Sequence, residues 1–317
     1  MTMINSTMTQ GYPYIGSGPY CYTNSFAMMF GAAAPSTAVI EFATGSPFGM
    51  QLIGGAMPFF DPYGWNPEAG FDGALAALGW TSEMFRGGNA EDALERLRES
   101  LQDGPVWIGP VEMGHLRHQP GMTGPIESDH YVVVLALNHD SVLMHDPHGY
   151  PYATLPLHDF MTAWRAETIN YGGPFTMRTG FKRLREVSEV DVIKASIPSA
   201  IRWLSMDGSH DMPPGSLGNG EAAEALAGLI ESGCGQELRG LLVHFAVRVG
   251  ARRAADAARC LERAGYAGAA RIAAEQARLI GSMQYPLVTG NDADAASALR
   301  VLAPTYDKLR EALESRS

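Results

Sequence analysis

Three cysteines in 317 residues are too few and too scattered for a disulfide framework. Cys21, Cys234 and Cys260 lie far apart and are odd in number, which also excludes a cysteine-based zinc site and fits a reducing, cytoplasmic compartment. No uninterrupted apolar run reaches about 18 residues, so no membrane span is expected. Residues 1–10 are polar and uncharged, without a basic segment or an apolar core, and predict no signal peptide. Positive charge is scarce: 23 Lys and Arg against 34 Asp and Glu leave a net charge of −11. Residues 1–183 carry −9 of this, from 17 acidic and 8 basic side chains. That balance argues against nucleic acid as a partner and favours a cationic or amine-bearing small molecule. Two motifs are also missing, Gly-x-Ser-x-Gly and His-Glu-x-x-His, and with them the nucleophile elbow of an α/β-hydrolase and the helix of a zinc peptidase.

What remains is a composition of 46% hydrophobic and 18% charged residues, that of one large or two ordinary globular domains. The chain is organised around Gly16-Ser-Gly-Pro-Tyr-Cys21-Tyr-Thr-Asn-Ser-Phe-Ala-Met-Met-Phe-Gly31. A Gly/Pro loop leads into Cys21, Phe26, Met29 and Phe30 recur at helical spacing, and Gly31 can end the helix. A cysteine there sits at the positive end of the helix dipole among unpaired N–H groups, which favours the thiolate and could also stabilise an oxyanion. The competing reading is a small residue packed at a helix start.

Residues 43–71 are rich in Gly, Pro, Phe and Met without a sustained period, and predict a long functional loop that walls an apolar cleft or simply packs. Helices follow at 71–80 and 89–101, the second capped by Asn89 with a Leu94, Leu97, Leu101 stripe. Strands are predicted at 104–111, 130–137, 142–147, 150–155 and 176–181, the second and third forming a hairpin around Asn138–Ser141, with a helix at 157–164. Beyond Val187 the pattern turns helical, at about 192–204, 221–232, 235–264, 267–281 and 291–315, with a Gly/Pro loop at 207–220. The expected architecture is α+β, with a mixed domain over 1–185 followed by an all-helical domain over 186–317.

A cysteine nucleophile needs a base and a group to hold that base. His130 opens one strand of the hairpin and Asp146 ends the other. The order Cys21, His130, Asp146 is that of papain-like or transglutaminase-type enzymes. Residues 11–184 resemble the N-terminal domain of butirosin biosynthesis protein H-like acyltransferases. The resemblance is carried by Tyr20-Cys21, the glycine-rich Ser46–Gly55 segment, Gly104-Pro-Val before Glu112, Asp129-His130-Tyr-Val-Val-Val and His145-Asp146-Pro147. Residues 187–317 are similar, more loosely, to the helical region of that family. It implies Cys21 as nucleophile, His130 as base and Asp146 as the orienting acid. It also implies transfer of an acyl group from a carrier-protein thioester, or another acyl thioester, to an amine in natural-product (antibiotic) biosynthesis. No cofactor is expected beyond a phosphopantetheine arm on such a donor. Papain-like peptidases place an oxyanion-hole glutamine about six residues before the cysteine. Ile15 stands there, so the Gly16, Ser17, Gly18 loop and the Cys21 N–H are the expected donors.

Competing assignments concern the same residues. His115, His118, His130, His145 and His148 fall within 34 residues and, with Glu112, Asp129 and Asp146, offer a metal site. Glu112 is a candidate partner for an amine acceptor, or a solvated carboxylate. Arg248, Arg252, Arg259 and Arg263 could dock an acidic carrier protein or pair with Asp256 and Glu262. Cys234 and Cys260 read as packing residues. The same triad would serve a cysteine hydrolase (peptidase, amidase or thioesterase), and the fold could also persist as a non-catalytic binding protein.

Overall fold

A computed structural model describes residues 19–207 and 212–315. They form two compact units. One takes residues 20–44 and 66–196, the other 45–65 and 197 onward. The boundary expected at 185/186 therefore does not match this division. Residues 45–65, read as part of the first domain, belong with the helical part.

The described residues open with α1 (Cys21–Phe30) and α2 (Thr37–Thr44). Gly31 ends α1 as expected, at φ 58°, its N–H donating to the Ala27 and Met28 carbonyls. After β1 (Gln51–Ile53) and β2 (Met57–Phe59), which serve the other unit, come α3 (Pro67–Leu78), β3 (Trp80–Phe85) and α4 (Ala90–Ser100). Then follow β4 (Val106–Glu112), β5 (Asp129–Leu137), β6 (Ser141–Asp146), β7 (Tyr150–Pro156), α5 (Leu157–Arg165), β8 (Met177–Arg183) and α6 (Glu189–Leu204).

The six-stranded sheet has the order β3-β8-β4-β5-β6-β7, with every neighbouring pair antiparallel. Alternation along its strands sends side chains to two cores. On one face Val106, Ile108, Val132, Val134, Val142 and Met144 pack with Ala93 and Leu97 of α4 and with Phe160 and Trp164 of α5. On the other, Trp107 and Tyr131 meet Tyr22 and Phe26 of α1 and Phe71 of α3, with Phe26 and Trp107 stacked at 4.9 Å. Each such aromatic pair adds about 0.5–1.5 kcal/mol beyond the area it buries. Gly109, at φ 154°, lies in the β4 bulge between Ile108 and Val111, where a Cβ would stand 2.2 Å from the Tyr131 ring. The strand that carries His130 is thus clamped from both sides.

Two expectations are revised here. The buried stripe of α4 is Ala93 and Leu97, with Leu94 only half-buried, because the i, i+4 pair faces the sheet and Leu94 is turned about 100° from it. Strand β3 was not anticipated: as an edge strand it alternates half-buried and exposed residues, and Thr81, Ser82 and Glu83 mask its period.

In the other unit β1 pairs with β2 and with β9 (Leu217–Gly218). The helices are α7 (Asn219–Glu231), α8 (Gln236–Leu241), α9 (Val247–Arg263), α10 (Ala267–Ser282), α11 (Gln284–Thr289), α12 (Asp292–Leu302) and α13 (Thr305–Glu314). A π-helical turn, Leu242–Ala246, joins α8 to α9, so the single helix expected at 235–264 is a composite. The helix expected at 291–315 is broken at Pro304. Buried alanines such as Ala254, Ala257, Ala269, Ala270 and Ala273 let α9 and α10 approach closely.

Residues 45–65 form no open loop: Phe48, Met50, Leu52, Phe60 and Trp65 are all buried. Gln51 organises the segment, donating to Asp61 at 2.6 Å and to the Trp65 carbonyl while accepting from the Gly64 N–H. Asp61 also pairs with buried Arg253 at 3.1 Å, whose guanidinium lies over the Trp65 ring. The apolar wall expected from 43–71 is therefore largely interior packing.

Candidate active site

Cys21 is the first residue of α1, and Tyr20 contributes no side-chain cap. Ser25, one turn on, donates to the Tyr131 carbonyl at 3.3 Å, tying this helix to β5 one residue beyond His130. Buried Glu41 of α2 secures the first turn by accepting from the Tyr22 hydroxyl at 2.6 Å and from Thr23 Oγ1. The helix terminus does not produce a standing thiolate. Burial raises the thiol well above its ordinary range, and the nearby charges of Asp129, Glu41 and Asp146 raise it further against a lowering contact with the Tyr22 backbone. Burial and these charges thus outweigh the dipole effect expected from the sequence and favour the thiol over the thiolate.

His130 and Asp146 meet as the hairpin predicts. His130 pairs across the ladder with Val111, and its Nε2 lies 2.7 Å from Asp146 Oδ1. Asp146 ends β6 and is buried. Its Oδ1 also accepts from the His148 N–H at 2.8 Å, while Oδ2 faces His118 Nε2 at 2.7 Å and Gln119 Nε2 at 2.8 Å. Burial alone would raise this carboxyl, but the hydrogen bonds from His118, His130 and the His148 backbone dominate and hold it well below the usual carboxylate range. An ionised carboxylate only accepts, so both imidazoles donate Nε2–H to it. In neutral His130 that leaves Nδ1 as the lone pair, the form a general base needs. His148 Nδ1 in turn donates to Gln119 Oε1 at 3.2 Å, which places the whole network in one proton arrangement.

Other candidates land differently. Gly16, Ser17 and Gly18, the expected oxyanion donors, lie outside the described residues. Glu112 is not open to an amine. It is buried and accepts from the backbone N–H groups of Gly114, Ile126 and Glu127 and from the Thr168 hydroxyl. Burial would raise its carboxyl, and those bonds bring it below its ordinary value. Its work is to fix the loop between β4 and β5. Of the five histidines, His118, His130 and His148 gather at Asp146. His145 instead accepts from the Tyr152 N–H at 3.1 Å. Among the described residues no three or more His, Cys, Asp or Glu side chains are grouped to hold a metal.

Cys260 is buried and Cys234 half-buried. In the arginine stripe Arg252 lies 3.7 Å from Asp256, and exposed Arg248 donates to the His244 carbonyl.

Several residues escaped the sequence reading. Glu41 was detectable as a lone carboxylate in the apolar run Val39-Ile-Glu-Phe42, and Arg253 as a charge in register with Val249 and Ala257. Gln119 and the Tyr171 hydroxyl, which donates to Asp129 and lies 3.1 Å from that of Tyr131, left no such trace.

Comparison with known proteins adds one family model and one relative. Residues 213–314 match the family model described as the YobF C-terminal domain. The uncharacterized protein YobF of Bacillus subtilis (strain 168) is 32% identical over 161 residues, 50% of this chain and 52% of that protein. The chain thus spans about half the length of the curated relative it matches. Among the described residues no helix is long and apolar enough to cross a membrane.

Proposed function

We propose that the chain is a cysteine-dependent acyltransferase on a papain-like fold, with Cys21 as nucleophile, His130 as base and Asp146 as the group that orients it. The observation that carries this reading is the His130–Asp146 contact of 2.7 Å on the hairpin against which α1 packs, with the Cys21 sulfur within electrostatic reach of Asp146. The resemblance to butirosin biosynthesis protein H-like acyltransferases, carried in part by the same residues, agrees with it.

Because its surroundings favour the thiol, Cys21 loses its proton as it attacks. The sulfur adds to the carbonyl of an acyl thioester while His130 Nδ1 takes its proton. The imidazolium, stabilised by Asp146, then returns that proton to the departing thiolate, leaving an acyl-enzyme. A neutral amine attacks the acyl carbon, and His130 takes a proton from its nitrogen and passes it to the departing Cys21 sulfur, which restores the thiol as the amide forms. The carboxylates of Asp129, Glu41 and Asp146 near the sulfur favour an amine-bearing acceptor, whose cationic form is drawn toward them.

Product analysis tests transfer directly. A panel of acyl thioesters is incubated with the protein, with and without polyamine or amino-sugar acceptors. Amide formed in place of free acid as acceptor is added supports transfer. Free acid alone, at a rate unchanged by any acceptor, would replace the transferase with a cysteine hydrolase.

A further inference from the structure

We infer that His118 is a positioning residue of this site: it holds Oδ2 of Asp146 so that Oδ1 is presented to His130, and its share of the carboxylate governs how readily His130 accepts a proton. The inference rests on the catalytic reading above and concerns a residue outside the triad.

His118 lies in the turn after β4, 28 positions from Asp146, and its side chain is only 8% exposed. Its Nε2 sits as close to the carboxylate as that of His130, 2.7 Å in each case, on the opposite oxygen. Its ring packs edge-on against Tyr150 at 5.5 Å. Its Nδ1 is buried and has no hydrogen-bond partner among the described residues. A residue needed only for packing would be apolar there, since burying an unpaired ring nitrogen is unfavourable. The ring is kept for the one bond it makes. Gln119 reinforces it on Oδ2 and passes the arrangement on to His148. Four donors divided two and two leave the carboxylate a single orientation, with Oδ1 toward His130.

Sharing also weakens what Asp146 offers to His130. With His118 removed, the carboxylate attracts the His130 imidazolium more strongly, and His130 becomes harder to deprotonate. The other titratable groups around this cluster are Cys21 from α1, Glu41 from α2, Asp129 and Tyr131 on β5, and Tyr171. Beyond β6 are His148 and Tyr150, and Arg117 and Asp159 form an outer pair at 3.8 Å. Tyr150 packs on the His118 ring and His148 is linked to it through Gln119 and Asp146, while the contacts given above for Cys21, Glu41, Asp129, Tyr131 and Tyr171 do not involve His118.

The test is the rate of Cys21 alkylation by iodoacetamide from pH 5 to 9, read by peptide mass to separate it from Cys234 and Cys260. Four proteins are compared: wild type, His118→Leu, His118→Gln and His130→Ala. His118→Leu should move the midpoint of the acid limb up by about one pH unit, the scale of one hydrogen bond to a charged group. His118→Gln, whose amide still donates to Oδ2, should keep the wild-type midpoint. If the leucine variant fails to fold, His118→Asn, too short to reach Oδ2, takes its place with the same expectation. A midpoint unmoved by Leu or Asn, with the limb still abolished in His130→Ala, overturns the role of His118 and leaves the catalytic reading standing. A limb that survives in His130→Ala overturns both.

Discussion

Replacing Asp146 by asparagine separates the charge of this residue from its geometry. The side chain keeps its shape but offers one carbonyl and one amide in place of two acceptors. The backbone N–H of His148 donates to Oδ1 at 2.8 Å and cannot reverse, so the new carbonyl should take the Oδ1 position and keep accepting from His130. The new amide then faces His118 and Gln119. His118 can accept it by moving its proton to the unpartnered Nδ1, and Gln119 by flipping its own amide. His148 Nδ1 follows by becoming an acceptor. Every group except the buried His118 Nδ1–H, which has no acceptor among the described residues, is then satisfied, and His130 keeps its proton on Nε2. What is lost is the difference between a charged and a neutral hydrogen bond to the imidazolium, about 1–2 kcal/mol. That corresponds to a drop of about 5–30-fold in the rate of Cys21 acylation. It is far short of the roughly 10⁴-fold loss seen where the same substitution reverses the tautomer of a catalytic histidine. Ring-nitrogen NMR of the variant, beside single-turnover acylation, reads both effects. Should His130 carry its proton on Nδ1, or the rate fall by 10³ or more, the reasoning about His148 and the Oδ1 side is wrong.

Arg253→Met removes the cation paired with buried Asp61 and the group stacked on Trp65. It should cost about 3–5 kcal/mol in urea unfolding, with the Asp61→Leu/Arg253→Met double variant more stable than Arg253→Met alone; a loss below about 1 kcal/mol would make the pair incidental. Alkaline pH supplies another check. Cys21, Tyr131, Tyr171 and Tyr306 all hold their protons above their ordinary values, chiefly through burial. Above about pH 9 the unfolded chain releases protons that the folded chain keeps, so stability should fall as pH rises, and a melting temperature constant from pH 8 to 11 would contradict those buried environments.

Local features of this molecule were legible in its sequence, and features set by distant partners were not. The start and stop of α1, the Asn89 cap of α4 and the β5–β6 hairpin depend on residues a few positions apart, and each forms where its signals lie. The His130–Asp146 pair follows from that hairpin. Glu112 looked like a free carboxylate because its donors, Ile126, Glu127 and Thr168, stand 14 to 56 positions away. The dipole argument for Cys21 was outweighed for the same reason, since a helix terminus is local while the burial that raises the thiol, and the charges of Asp129, Glu41 and Asp146 that add to it, come only through the fold. His118 was noticed only as one of five histidines of a candidate metal site, and its partner Asp146 stands 28 positions away. The 45–65 segment carries no period because its two three-residue strands are too short to show one, and its pairing partner β9 is more than 150 positions on.

The account rests most directly on a covalent intermediate at Cys21. Intact mass after mixing wild type and Cys21→Ala with acyl thioesters of varied chain length reads it without ambiguity. The account predicts an acyl adduct on wild type that maps to Cys21, is absent from Cys21→Ala and disappears when an accepting amine is added. An unlabelled wild type across the whole panel, or an adduct that persists in Cys21→Ala, would contradict it.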